Sequence, residues 1–170
     1  SVYSSKGDEN MHIVPIPKKV ELRGKFFSLE HQLVCDVGEF DNNLVQILSK
    51  DIKIKNISLE GDKPNIRFIH SKLKNEEYHL EVNENEICIK ASTSQGIFYG
   101  IKTLKQLCNK KQIQCCLIED SPDLSIRGAM IDISRSKVPT LKTLKQMVEL
   151  LCDLKYNHME LYVEGFSYEY

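Results

Sequence analysis

Apolar and polar positions along this chain follow two periods, the alternation of strands and the three-to-four spacing of helices. The clearest alternation is Tyr78–Val82 followed by Glu86–Ala91. Tyr78, Leu80 and Val82 face Ile87, Ile89 and Ala91 across an Asn-Glu-Asn turn, which predicts a β-hairpin. Shorter strand signals lie at Val20–Leu22, Gln32–Val37, Asn65–Ile69 and Gln114–Ile118. Ile13–Pro17 is restricted by its prolines and predicts an extended piece along a sheet edge.

Two stretches break the alternation with helical spacing. Asp41 can cap a helix through about Ile52, with Leu44, Ile47, Leu48 and Ile52 on one face. A second helix, about Ser94 to Asn109, places Ile97, Ile101, Leu104 and Cys108 toward a sheet. Gly96 and Gly100 weaken that helix by roughly 1 kcal/mol each against alanine. Their use is close approach of helix to sheet. Several strands with two helices placed among them predict an α+β layer: an antiparallel or mixed sheet with both helices on one face.

Beyond Pro122 the pattern differs. Ser125–Asp132 is an apolar run of the kind covered on both faces in a parallel sheet. Pro139 and Thr140 supply a stop and an N-cap, and Leu144, Met147, Val148 and Leu151 follow on one helical stripe. Met159–Val163 is strand-like again. The stretch predicts a βαβ unit, and its loop after Asp132 lies where α/β proteins place ligands. The expected organisation is a flexible leader or foreign extension over 1–10, an α+β domain over 11–122, and the βαβ unit over 123–170.

Composition narrows the classes. Among 170 residues, 23 basic and 24 acidic side chains leave a net charge of −1, with no block of one sign. This argues against nucleic acid or an anionic membrane as partner. No apolar run approaches the roughly 18–20 residues of a membrane span. The 6 cysteines are scattered through apolar surroundings without a Cys-x-x-Cys, and read as reduced thiols of a cytoplasmic protein. The 5 histidines show no ligand spacing, so neither a metal nor another cofactor is expected.

The order Arg127-Gly128, Asp132, Ser134-Arg135, helix, Lys155-Tyr156-Asn157 resembles the opening of the catalytic barrel in glycoside hydrolase family 20, the retaining β-N-acetylhexosaminidases. Upstream, Tyr78–Val82, Ile87–Ala91, the Gly96-Ile97-Phe98-Tyr99-Gly100 helix and Glu119-Asp120-Ser121-Pro122 resemble the small domain preceding that barrel. The resemblance implies an N-terminal portion of an exo-acting glycosidase that removes terminal N-acetylhexosamine by substrate-assisted hydrolysis. It also implies that Arg135 grips sugar hydroxyls, for which a planar fork of donors is suited. The family's catalytic Asp-Glu pair follows a fourth barrel strand, so no catalytic residue is assigned here. An eight-stranded barrel needs roughly 250 residues, and only 46 follow Leu124. The βαβ unit is therefore expected to open a truncated β/α barrel whose partner is the rest of that barrel, and this chain alone is expected to be inactive.

Three residues are candidate substrate contacts: Arg135, Asp132 and Glu164. Asp132 has two readings, orienting Arg135 or capping the turn backbone. Arg127, at the strand's amino end, reads as structural. Phe166, Tyr168 and Tyr170 can stack on a sugar or pack as core. Where common members carry histidine after Ser-Arg this chain has Ser136, and where they read His-x-His it has Glu160-Leu161-Tyr162, which places it in a divergent branch. The alternative class is a non-catalytic carbohydrate-binding, scaffold or accessory domain.

Overall fold

A computed structural model describes residues 12–109, 111–134 and 138–164. In chain order the elements are β1 (Lys19–Ser28), β2 (Leu33–Asp36), α1 (Asn43–Asp51), β3 (Ile57–Ser58), β4 (Ile66–His70), β5 (Tyr78–Val82), β6 (Ile87–Ala91), α2 (Ser94–Leu107), β7 (Cys108–Asn109), β8 (Gln112–Asp120), β9 (Gly128–Asp132), α3 (Leu141–Asp153) and β10 (His158–Tyr162). They divide into two compact units, Ser1–Pro122 and Asp123–Tyr170.

The first unit is built on one mixed sheet of order β1-β8-β5-β6-β4-β2-β3, with β7 pairing to β8. The β1, β8, β5, β6 side is antiparallel, and the β6, β4, β2, β3 side is parallel. The hairpin register is the one that alternation requires: Tyr78 opposite Ala91, Leu80 opposite Ile89, Val82 opposite Ile87. Its turn is closed by the Asn83 side chain, which accepts from the Asn85 and Glu86 backbone amides, both at 2.9 Å.

Helices α1 and α2 pack against each other, and α2 lies on β5, β6 and β8. Ile97, Ile101 and Leu104 are fully buried there, with Leu48 and Ile52 from the α1 side. The two helical glycines permit this approach. A Cβ on Gly96 would stand 2.5 Å from the Glu77 carbonyl oxygen, and one on Gly100 would stand 2.6 Å from Ile89 Cγ2. Thr93 caps α2 by accepting from the Gly96 amide at 3.2 Å. At α1 the cap falls one residue past the expected Asp41, on Asn42. Asp41 still accepts from the Asn43 amide at 2.8 Å, and its carbonyl accepts from Leu44 at 3.1 Å.

Four sequence expectations change in detail. Ile13–Pro17 forms no strand; instead Gln106 clamps Val14 with two 2.8 Å side-chain hydrogen bonds that replace a ladder. β1 runs to Ser28, because a register shift between Leu22 and Phe26 lets the strand pass Gly24 and continue pairing. α2 ends at Leu107 rather than Asn109, as Cys108 turns extended to pair with Ile113. The strand expected from Ser125 begins only at Gly128. Before it, the Asn157 side chain stands in for a paired strand, donating to the Ser125 carbonyl at 2.7 Å and accepting from the Arg127 amide at 2.9 Å.

The core also holds charges that the sequence pattern does not reveal. Lys102 donates to Asp51 at 2.9 Å, with side chains only 9% and 5% exposed. Its ammonium lies 5.0 Å from the Phe98 ring centre. Tyr78 shares a 2.6 Å hydrogen bond with Thr103 and donates to Asp120 at 3.3 Å. All six cysteines are free thiols, four of them buried.

Candidate functional site

The second unit is a parallel βαβ unit. β9 and β10 run side by side with His158 opposite Gly128, Glu160 opposite Met130 and Tyr162 opposite Asp132. α3 crosses between them, capped by Thr140, which accepts from the Thr143 amide at 3.2 Å. The cap is the one that the sequence predicts. The helix ends with Lys155 at φ 60°, its amide donating to Cys152 and that of Tyr156 to Leu151, a Schellman closure.

Burial separates the faces of the strand pair. On β9, Ala129 and Ile131 are half-buried and Gly128, Met130 and Asp132 exposed. On β10, Met159 is half-buried and His158, Glu160 and Tyr162 exposed, with Leu161, on the Met159 side, also exposed. Side chains alternate across a strand, so the half-buried set marks the face under α3 and the alternate positions the open face. His158 and Gly128 confirm a shared side: a Cβ on Gly128 would come within 3.2 Å of the His158 ring. On the open face His158 also meets Glu160 at 2.9 Å.

Asp132 closes β9 at its carboxyl end. Its Oδ1 accepts from the Ser134 amide at 2.8 Å and from the Ser134 hydroxyl at 2.5 Å. Of its two readings, turn capping is therefore present in the structure. Orientation of Arg135 falls on a residue outside the described set, as do Ser136, Phe166, Tyr168 and Tyr170. Glu164 lies two residues past β10, at the same end as Asp132, and is exposed. The parallel ladder thus brings the ends of both strands together, with Ile133 donating to the Tyr162 carbonyl at 2.9 Å. Ser134 as the partner of Asp132 was not singled out by sequence; its signal was the Asp-x-Ser spacing of an Asx turn.

Arg127 serves the opposite end. Its guanidinium donates to the Lys155 carbonyl at 2.8 Å and the Leu124 carbonyl at 2.6 Å, tying the entries of both strands together. Its role is structural. Among the described residues no group of three His, Cys, Asp or Glu side chains is placed to hold a metal ion, and no helix is long and apolar enough to cross a membrane.

The arrangement is one that known proteins share. The family model for glycosyl hydrolase family 20, domain 2, matches residues 10–121. The β-hexosaminidase subunit beta of Entamoeba histolytica is 28% identical over 87% of this chain and 27% of its own length. The N,N'-diacetylchitobiase of Vibrio harveyi is 24% identical over 95% of this chain and 20% of its own. Among solved structures, an exo-β-N-acetylglucosaminidase from Vibrio harveyi, in complex with N-acetylglucosamine, superposes with a TM-score of 0.77 at 26% identity. It is covered over 28% of its length by 95% of this chain. A β-N-acetylhexosaminidase from Bacteroides fragilis gives a TM-score of 0.80 at 21% identity, covering 89% of this chain and 33% of that one. The chain spans only about a quarter or less of the curated relatives it matches. With two-thirds of its length matched by the family's own domain and the same fold in its solved members, this chain belongs to glycosyl hydrolase family 20.

Proposed function

We propose that the chain is the N-terminal portion of an exo-acting β-N-acetylhexosaminidase. Residues 11–122 form its supporting α+β domain, and residues 123–170 open a (β/α)8 catalytic barrel. The observation that carries this reading is the family match over residues 10–121, immediately followed by a βαβ unit with polar residues at its carboxyl ends. Two parallel strands and one helix leave Met130 66% and Leu150 59% exposed; further barrel strands and helices would bury them. The cytoplasmic placement rests on the thiol-rich composition.

In the proposed reaction the substrate supplies its own nucleophile. The 2-acetamido oxygen attacks the anomeric carbon, and the glycosidic bond breaks as a carboxylic acid protonates the leaving oxygen. Water then opens the cyclic intermediate with retention. By the family resemblance an aspartate orients the acetamido group and a glutamate is the acid. Both follow a fourth barrel strand, so neither is assigned to a residue of this chain. The chain's own contribution is to bind and orient the terminal sugar through Arg135, the next residue in sequence after Ser134, with Asp132 and Glu164 at the neighbouring strand ends.

The test is hydrolysis of p-nitrophenyl N-acetyl-β-glucosaminide by the full-length protein and by residues 1–170 alone. Release of nitrophenol by the first and none by the second is expected. In the full-length protein Arg135→Lys should lower kcat/KM about 100-fold, since a site built to bond hydroxyls is left with unmatched polar groups. Turnover by the short chain would overturn the division of labour. A full-length protein that binds N-acetylglucosamine without hydrolysing its glycosides would favour a carbohydrate-binding scaffold.

A further inference from the structure

The open face of the strand pair ends in two residues, of which only Asp132 entered the site by sequence. Its direct cross-strand neighbour is Tyr162. Paired residues on parallel strands project to the same side, as the contact between a Gly128 Cβ and His158 shows four residues earlier in the same ladder. The face therefore rises in three steps: Gly128 with His158, Met130 with Glu160, and Asp132 with Tyr162. In a closed barrel the lower steps fill the interior, and the uppermost borders the mouth, where barrel enzymes bind substrate.

The geometry points to Tyr162 as a further substrate-contacting residue, its ring and hydroxyl meeting the terminal sugar beside Asp132. This rests on the glycosidase reading above and adds a residue to that site. Three observations carry it. Tyr162 is the last residue of β10, and its carbonyl is fixed by the Ile133 amide at 2.9 Å, so its position is set by the ladder rather than by a loop. Tyr162 is 43% exposed, and its pairing with Asp132 sets it on the open face. Its neighbour Asp132 is engaged with Ser134 through Oδ1, and a tyrosine side chain is longer than an aspartate. A tyrosine there offers what a pyranose needs: an apolar face for its axial C–H groups and an O–H that donates to or accepts from a ring hydroxyl. By the same alternation Leu161 and Val163 project to the other side and take no part.

The test is kinetic, in the full-length protein, with p-nitrophenyl N-acetyl-β-glucosaminide as the probe. Tyr162→Phe keeps the ring and removes the hydroxyl; Tyr162→Leu removes both. KM is expected to rise about fivefold for Tyr162→Phe and by at least 20-fold for Tyr162→Leu, with Tm lowered by neither more than a conservative core change would. Unchanged KM in both variants, with a lowered Tm, would make Tyr162 a packing residue and overturn the inference while leaving the glycosidase reading intact. Absence of hydrolysis by the unaltered protein would remove that reading, and the role of Tyr162 with it.

Discussion

At the scale of single residues, two features set apart what can be changed from what cannot. Gly96 is poor for a helix, yet a methyl group there meets the Glu77 carbonyl oxygen at 2.5 Å and Ala91 Cβ at 2.7 Å. Backbone cannot yield as a side-chain tip can. Gly96→Ala should therefore lower stability by about 2 kcal/mol despite gaining helix propensity, measured by urea unfolding of the 170-residue chain. A gain in stability would show that α2 can lift from the sheet. Lys102 is the second case. Replacing it by methionine keeps the stem over Phe98 but leaves Asp51 buried, with Lys105 at 3.9 Å as a more distant cation. The expected loss is about 3 kcal/mol, and a double variant that also replaces Asp51 by leucine should recover most of it. Neither outcome was legible in sequence. The role of Gly96 was, from its place on the buried side of a helix; the Lys102–Asp51 pair joins residues 51 apart in the chain, and no local pattern announces it.

At the scale of elements, helix ends show what short-range chemistry decides. α1 and α3 both finish in a left-handed residue that closes the last turn, and in both that residue is lysine: Lys53 at φ 59° and Lys155 at φ 60°. Glycine is the residue such positions favour. Lys53 is exposed, so Lys53→Gly should raise stability by about 0.5 kcal/mol, relief of the left-handed strain outweighing the added freedom of the unfolded chain. A shift in urea midpoint at constant slope would report it; a fall would mean that the Lys53 side chain contributes more than its backbone costs. The elements themselves were largely readable. The hairpin, both helices of the first unit and the βαβ unit follow from period and capping residues alone. Two of the misjudged pieces lay where side chains replace backbone partners, at Val14 with Gln106 and at Ser125 with Asn157; the other two were boundaries, where β1 continues past its register shift and Cys108 leaves α2 for a strand. Hydropathy carries no trace of such substitutions. At the candidate site the same limit holds. Asp132 was singled out as a candidate by its place at a strand end, whereas the proposal for Tyr162 needed the register between strands 30 residues apart.

At the scale of the whole molecule, buried thiols and a buried phenol make alkali the sensitive direction. Burial pushes Cys35 and Cys116 up to about 12, with the charges of Asp36 and Cys115 adding to the effect. Tyr78 is likewise raised by burial and by Asp120. For groups whose folded value lies above the unfolded one, the stabilisation is complete below the ordinary thiol value of about 8.5 and is lost as pH climbs toward 12. The urea midpoint should accordingly fall steadily between pH 8.5 and 11, and fall less steeply in Cys116→Ala once its lower starting stability is allowed for. A flat midpoint over that range would refute the assignment. Under native conditions at pH 8 a thiol reagent should modify Cys108 and Cys152 well before the four buried cysteines.

One pairing in the first unit also has a consequence for timing. β1 closes the sheet against β8, joining Lys19 to Glu119 across 100 residues of chain. During synthesis at about 5–20 residues per second, β1 has emerged some 5–20 s before its partner exists. For that interval it is a strand with no sheet, and its Lys19, Glu21, Arg23 and Lys25 sit at alternating positions between apolar residues. Such a charge rhythm discourages association with other nascent chains. Made before the rest of its sheet, β1 is among the last of these strands to be placed, and its charged positions keep it soluble while it waits.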